Sequence, residues 1–339
     1  MISVGIDYHK KFSYGTIMNE KGEIIKQGMV PNSFTGVSKF INGCKSDEEI
    51  KAVMEATRNW TLMYDWLDKV VDEVKLAHPL KVKAIAESKV KTDKIDSTTL
   101  AHLLRCDLLP EAYVASKSAR DARHILRQRM FFVRVQTMLK NRIRGIIDKH
   151  PEVGKSPADD VFGKAGIEWL RSIKLPEVER KTMNGDLKLL KAIQERISES
   201  NKLIEELCRK DKRVKYLSSI PGIGVFFAVL LCYEIDNINR FRTDKKLHAY
   251  AGLVPSTYAS GGKVFHGHIT KQGNKWLRWA MVEAVWPAIR SDIELRMYYD
   301  RLRIRKGANC AKVATAKRLL TIVYRVLKEE RYYKAHRLP

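Results

Sequence analysis

Two short apolar strands that each end in a carboxylate constrain this chain more than any other feature. Ile2, Val4 and Ile6 alternate with smaller residues and run into Asp7, and the apolar run Ile50 to Met54 closes on Glu55. Period-two alternation places one face of a strand in a core. Between these strands, Ser13 to Met18 and Ile24 to Val30 read as two more, joined through Glu20-Lys21-Gly22-Glu23, with glycine where a hairpin turn wants it. Phe34 to Ile41 and Trp60 to Val71 have helical spacing, Val74 to Ala77 is a further strand, and Asp93 to Leu104 reads as a helix. Elements mixed in this order suggest an α/β domain with an antiparallel start, as in the RNase H-like fold.

The acids of this region suggest chemistry. Asp93 and Asp96 are three apart and share a helix face. On their own they fit a capped, solvated helix start equally well. Joined by Asp7 and Glu55 at two strand ends, they form a set of hard oxygen ligands suited to Mg²⁺ or Mn²⁺. A pair of such ions can clamp the attacking and leaving oxygens of a phosphodiester.

Charge narrows the partner. With 63 Lys and Arg against 39 Asp and Glu, the chain carries a formal +24 and a pI near 9.8. That excess favours a polyanion, nucleic acid before an anionic membrane surface. At 45% hydrophobic the chain can still bury a core. The longest apolar run, Val225 to Cys232, is too short to span a bilayer, and no leader pattern precedes the first strand. The five cysteines, Cys44, Cys106, Cys208, Cys232 and Cys310, are scattered and odd in number, which fits free thiols in a reducing cytoplasm.

Beyond residue 115 the pattern turns helical. From Ser118 to His150 an apolar stripe can form through Leu126, Met130, Val133, Leu139, Ile143 and Ile146, on a helix whose only acids are Asp121 and Asp148. A second long helix, Val178 to Leu207, carries Asn201 at a seam among Leu190, Ile193, Ile197, Ile204 and Leu207. It reads equally as a short coiled coil, with Asn201 setting register, and as a helix packed within its own chain. The expected divisions are 1–115, 116–215 and a mostly α region 216–339.

In that last region Pro221-Gly222-Ile223-Gly224 precedes an apolar helix, Val225 to Tyr233. Such a turn can offer backbone N–H groups to a phosphate, as helix–hairpin–helix motifs do, although a plain tight turn is the commoner meaning. A glycine-rich loop follows, Gly252 to Gly273, then two helices, Asn274 to Arg290 and Ala311 to Glu330. Within the loop, Ser260 stands before Gly261 and Gly262, where a bulky backbone can approach it. Serine needs activation to act as a nucleophile, and Lys263, His266, His268 and Lys271 are near in sequence. Toward the C-terminus Arg301, Arg303, Arg305, Lys306, Lys312, Lys317, Arg318 and Arg325 are interleaved with Tyr298, Tyr299, Tyr324, Tyr332 and Tyr333, a composition suited to phosphate contact with base stacking, with a solvated basic face as the plainer reading.

Together these motifs resemble the insertion-sequence-110 family of transposases. Gly5-Ile6-Asp7, Met54-Glu55-Ala56-Thr57 and Lys91-Thr92-Asp93-Lys94-Ile95-Asp96 look like its DEDD signature. Ile220 to Gly224, Gly252 to Pro255, Ser260 to Lys263 and Gly267 to Lys271 look like its C-terminal transposase domain. Piv-type invertases belong to the same group. Ser97 departs from the pattern, where alanine often follows the last aspartate; being small, it is expected to be without consequence. The resemblance implies that Asp7, Glu55, Asp93 and Asp96 bind Mg²⁺ and that Ser260 forms a covalent phosphoserine with DNA, with Ser256 the poorer candidate. It also implies donor and target DNA as partners, a structured bridge RNA as guide, a dimer assembling to a tetramer, and a cytoplasmic, nucleoid-associated location. Two rival readings are a RuvC-like junction endonuclease, which leaves Ser260 idle, and a non-enzymatic nucleic-acid-binding protein, which leaves the carboxylates idle.

Overall fold

The computed structural model describes residues 1–43, 48–86 and 92–335; Cys44, Lys91 and the side chain of His266, all drawn on above, lie outside the description. The chain divides into two compact units, Met1–Val114 and Ala115–Pro339.

The N-terminal unit is a mixed α/β layer structure. Its strands are β1 (Ile2–Tyr8), β2 (Phe12–Met18), β3 (Ile24–Pro31), β4 (Ile50–Glu55) and β5 (Glu73–Ala77), with helices α1 (Phe34–Asn42), α2 (Trp60–Leu67), α3 (Pro79–Ile85) and α4 (Asp93–Arg105). The sheet order is β3-β2-β1-β4-β5. β1 to β3 form an antiparallel meander, whereas β4 and β5 run parallel to β1. Alternation sorts the two faces. Ile2, Val4 and Ile6 pack with Ala52 and Met54 toward α1 and α2. On the other face Val53 packs with Leu100, Leu103 and Leu104 of α4.

One glycine seats α4 on this second face. A Cβ on Gly5 would stand 2.1 Å from the Ser97 carbonyl oxygen and 2.7 Å from the Ala101 nitrogen, so only glycine lets the helix lie against β1. Ser97 is not inert, as the sequence suggested. It is fully buried, and its hydroxyl is 2.8 Å from that of Thr16 on β2, a polar clasp between helix and sheet.

The second unit is almost all helix. It contains α5 (Lys117–Ile147), α6 (Lys164–Ser172), α7 (Glu177–Lys210), α8 (Lys212–Ser218), α9 (Val225–Ile235) and α10 (Asp244–Tyr250). A hairpin of β6 (Pro255–Ser260) and β7 (Lys263–Ile269) follows, then α11 (Lys275–Ser291), α12 (Ile293–Lys306) and α13 (Ala308–Glu329). α5 and α7 run beside each other. Near one end Leu126, Met130 and Ile204 join the core of α9, α11 and α13; near the other, Leu139, Ile143, Met183 and Leu190 form a core with α6. Asn201 finds its partner within this pair: Arg129 Nε donates to its Oδ1 at 2.7 Å. The in-chain reading of that helix therefore accounts for both the seam and its polar residue.

Two readings need correction. The segment Gly252 to Gly273 is not simply a loop, because most of it is the β6–β7 hairpin. Its strands are exposed on both faces, so no apolar alternation marked them. The available signal was Gly261-Gly262, with φ of 55° and 78°, the two positive-φ positions of a tight hairpin turn. The C-terminal region also holds three helices after this segment rather than two, since α12 is too basic and evenly polar to show a stripe.

Candidate active site

Sheet register brings the strand-end acids together. In the parallel β1–β4 pair Gly5 faces Val53 and Ile6 faces Met54, so Asp7 and Glu55 are the next residues on neighbouring strands. Adjacent strands lie about 4.8 Å apart, and residues two apart point to the same face. Asp7 therefore shares the face of Ser3 and Gly5, and Glu55 that of Val53. This is the face on which Gly5 seats α4.

The start of α4 completes the group. Thr92 caps the helix, its hydroxyl accepting from Ile95 N at 3.2 Å. Because Thr92 caps, neither Asp93 nor Asp96 has to. Asp93 turns toward the sheet, where His9, just beyond β1, bridges it to Asp7. His9 Nε2 is 3.0 Å from Asp7 Oδ2 and 3.2 Å from Asp93 Oδ1. Ligand atoms of Asp7, His9 and Asp93 all lie within 4.8 Å of one another. Glu55 and Asp96 line the same cleft of about 840 Å³, along with Lys10, Arg58 and Lys83.

The electrostatics are those of a crowded anionic site. Burial holds the Asp7 carboxyl above its usual range; His9 opposes this, and Asp96 and Asp93 add to it. Burial opposes charge on His9, but Asp7 and then Asp93 outweigh it and hold the imidazole above its ordinary value. His9 thus sits between two carboxylates, where a cation is favoured. An oxygen-rich set with one imidazole suits a divalent ion of the Mg²⁺ or Mn²⁺ kind. Sequence reasoning missed His9, whose only mark was its place two residues after a strand-end acid.

The serine lies in the other unit. Ser260 ends β6 and pairs across the turn with Lys263. It is exposed, and its hydroxyl has no hydrogen-bond partner among the described residues. A Cβ on Gly261 or Gly262 would meet nothing within 4 Å, so the space about the turn is open. Ser256 differs: its hydroxyl donates to the His268 carbonyl oxygen at 3.1 Å and fills the space where a Cβ on Gly267 would fall. In the Pro221–Gly224 turn, packing accounts for one of the two glycines. Gly222 has φ of 83°, and a Cβ there would stand 2.4 Å from the Ala284 carbonyl oxygen on α11.

A buried polar network, also unseen in the sequence, frames the hairpin. Glu234 on α9 is fully buried, and Arg127 of α5 grips it with two bonds, Nε to Oε1 at 3.0 Å and Nη2 to Oε2 at 2.9 Å. Arg123 lies 3.5 Å away, and Asn274, which caps α11 just after the hairpin, donates to Oε2 at 2.7 Å. Part of the basic surface of α5 is thus a structural clamp rather than a nucleic-acid face.

Comparison with known proteins places these features. A DEDD transposase profile of the IS110 group matches residues 4–150, and the profile of the Transposase IS116/IS110/IS902 family matches residues 214–300. The chain is 25% identical over 273 residues to a probable family 20 transposase of Pseudomonas aeruginosa, spanning 76% of this chain and 80% of the relative. It is 22% identical over 338 residues to the transposase for insertion sequence element IS1111A of Coxiella burnetii, spanning 98% and 91%. A shorter match, 32% identical over 124 residues, links it to an uncharacterized IS110 insertion-element protein of Streptomyces coelicolor, spanning 36% and 30%. The fold and the two matches define a transposase, an enzyme that binds, cuts and rejoins DNA. More particularly, the chain belongs to the IS110 family. The acidic profile and the Asp7–His9–Asp93 cluster together point to a divalent metal. Among the described residues, no helix is long and apolar enough to cross a membrane.

Proposed function

We propose that this transposase exchanges DNA strands through a covalent phosphoserine at Ser260, assisted by Mg²⁺ or Mn²⁺ held by Asp7, Glu55, Asp93 and Asp96 on an RNase H-like domain. The observation that carries the reading is the convergence of Asp7 and Asp93 on one point beside Glu55. When bound, the metal supplies charge stabilisation for the developing oxyanions. The acids orient it, and Lys10, Arg58 and Lys83 of the same cleft suit an approaching phosphate.

The chemistry at Ser260 balances without an outside energy source. Its Oγ bonds to phosphorus, the bridging P–O bond to deoxyribose breaks, the leaving oxygen takes a proton, and the serine proton passes to a base. Attack by a hydroxyl of the other DNA strand reverses each change and regenerates serine, so bond energy is conserved. The exposed hydroxyl and open glycine turn support reach to a bulky backbone, whereas Ser256 is engaged with the His268 carbonyl oxygen. The reading includes a dimer or tetramer, in which one subunit's acids and another subunit's serine would share a composite site. The +24 charge supports a second polyanion besides DNA, a structured guide RNA of the bridge type, in a cytoplasmic, nucleoid-bound complex.

Trapping the reaction on element-end DNA and mapping the linked peptide tests this. Ser260→Ala should keep DNA binding and lose the adduct, and Ser256→Ala should keep both. A linkage at another residue, or cleavage by water with no adduct, would overturn the assignment.

A further inference from the structure

Tyr298, Tyr332 and Tyr333, scattered in sequence with Arg301, Arg318 and Arg325, line one cleft among α12, α13 and the tail after α13. It measures about 630 Å³, within the range of pockets that enclose a small ligand. Its floor is apolar, with Leu295, Ile322 and Val326. Tyr298 and Tyr332 stand on its lining, and Tyr332 is 57% exposed, so ring surface is open to solvent. The tail is pinned in place. Tyr333 donates its backbone N–H to Ser219 Oγ at 2.8 Å and its phenol to Asp292 Oδ2 at 2.9 Å.

Arg301, Arg318 and Arg325 line the same cleft. Among the described residues none of the three is in an ion pair, and Glu294 is the one acid on the lining. Three guanidinium groups about one concavity repel each other unless an anion joins them. An apolar floor, exposed tyrosine and unpaired arginines suit an aromatic base attached to phosphate. A base in duplex is stacked and paired, and cannot enter such a cleft.

We propose that this cleft binds one unpaired nucleotide of a polynucleotide strand, flipped or looped out, with its base against Tyr332 and Tyr298 and its phosphates on Arg318 and Arg325. The cleft shares no residue with the carboxylate cleft or with the β6–β7 hairpin, so the proposal stands whether or not that chemistry is as proposed. The shared ligand chemistry is a nucleotide; the strand that supplies it is RNA or DNA.

The test is fluorescence anisotropy of the full chain with three probes: oligouridylate, oligothymidylate and a DNA duplex. Tyr332→Ala should weaken single-strand binding by about 5- to 100-fold and Tyr332→Phe by much less. Arg318→Ala and Arg325→Ala should each lower the salt slope for single strands by roughly one. Duplex affinity should change less than about twofold, below the effect of one lost stacking contact. Loss confined to oligouridylate names RNA as the source, and loss confined to oligothymidylate names DNA. A photoreactive thio-substituted strand should crosslink to Tyr298 or Tyr332. Wild-type single-strand affinity in Tyr332→Ala, or equal losses for single strands and duplex, would overturn the proposal. Because Tyr332 and the arginines are exposed, unchanged thermal melting of the variants separates lost binding from lost folding.

Discussion

In the N-terminal unit the clustered acids are placed by register: Asp7 and Glu55 are neighbours because β1 and β4 pair as they do, and Asp93 joins them because Gly5 lets α4 lie flat. In the C-terminal unit Ser260 stands on a two-stranded hairpin whose strands bury almost nothing. A two-stranded ribbon without a covered face is marginally stable in water. What is firm there lies beneath it, in the Glu234 clamp and in the core of α9, α11 and α13. Metal ligation needs several groups at fixed separations, which a sheet and a seated helix supply. The nucleophile proposed at Ser260, which would have to meet a DNA backbone, needs access instead, and an exposed turn supplies that.

The largest expected effect tests whether that lower frame is as firm as it looks. Glu234→Ala would leave Arg127 without its carboxylate beside a buried hole, while Arg123 keeps its bonds to the Tyr233 and Glu234 carbonyl oxygens, and should cost about 3–5 kcal/mol. Hydrogen exchange should show the loss in α5, α9 and α11, with the N-terminal sheet unchanged. Equal loss in both units would break the contrast.

Acid should sharpen it. Burial pushes His248 on α10 down to about 4, chiefly by desolvation. Thr321 donates to Asp244 Oδ2, so its oxygen accepts from His248 Nε2–H at 3.0 Å, while Nδ1 is buried with no partner among the described residues. Protonating Nδ1 favours the unfolded chain, where histidine titrates near 6.5. His248 therefore contributes stability that is present above about 6.5 and lost as pH falls toward 4, up to roughly 3 kcal/mol. Urea melts across that window should show the loss, and His248→Gln should flatten it; an unchanged slope in that variant would remove this cause.

A smaller effect bears on the carboxylates. Gly5→Ala should cost about 1–3 kcal/mol through overpacking. Its activity should fall further than its stability, because lifting α4 carries Asp93 away from Asp7 and His9. Activity that tracks the folded fraction alone would mean that the seating of α4 does not set the site.

How much of this could be read in advance follows the same division. The strands and the acids were legible because alternation and a terminal carboxylate are local patterns. His9 was not, since nothing periodic marks a residue just past a strand. Glu234 was visible only as a lone acid after an apolar run, and its partners come from more than a hundred residues upstream and forty downstream. The hairpin escaped because exposed strands carry no burial pattern, and the role of Asn201 depended on which helix lay opposite.

The contrast between a preassembled acidic site and an accessible serine is tested most directly by Mn²⁺ titration, read by electron paramagnetic resonance on DNA-free protein. Wild type and Ser260→Ala should bind the ion alike, and Asp7→Asn should lose the site while its melting temperature holds or rises, since a partly buried charge beside Asp96 and Asp93 has been removed. Unaltered Mn²⁺ binding in Asp7→Asn, or its loss in Ser260→Ala, would contradict the account.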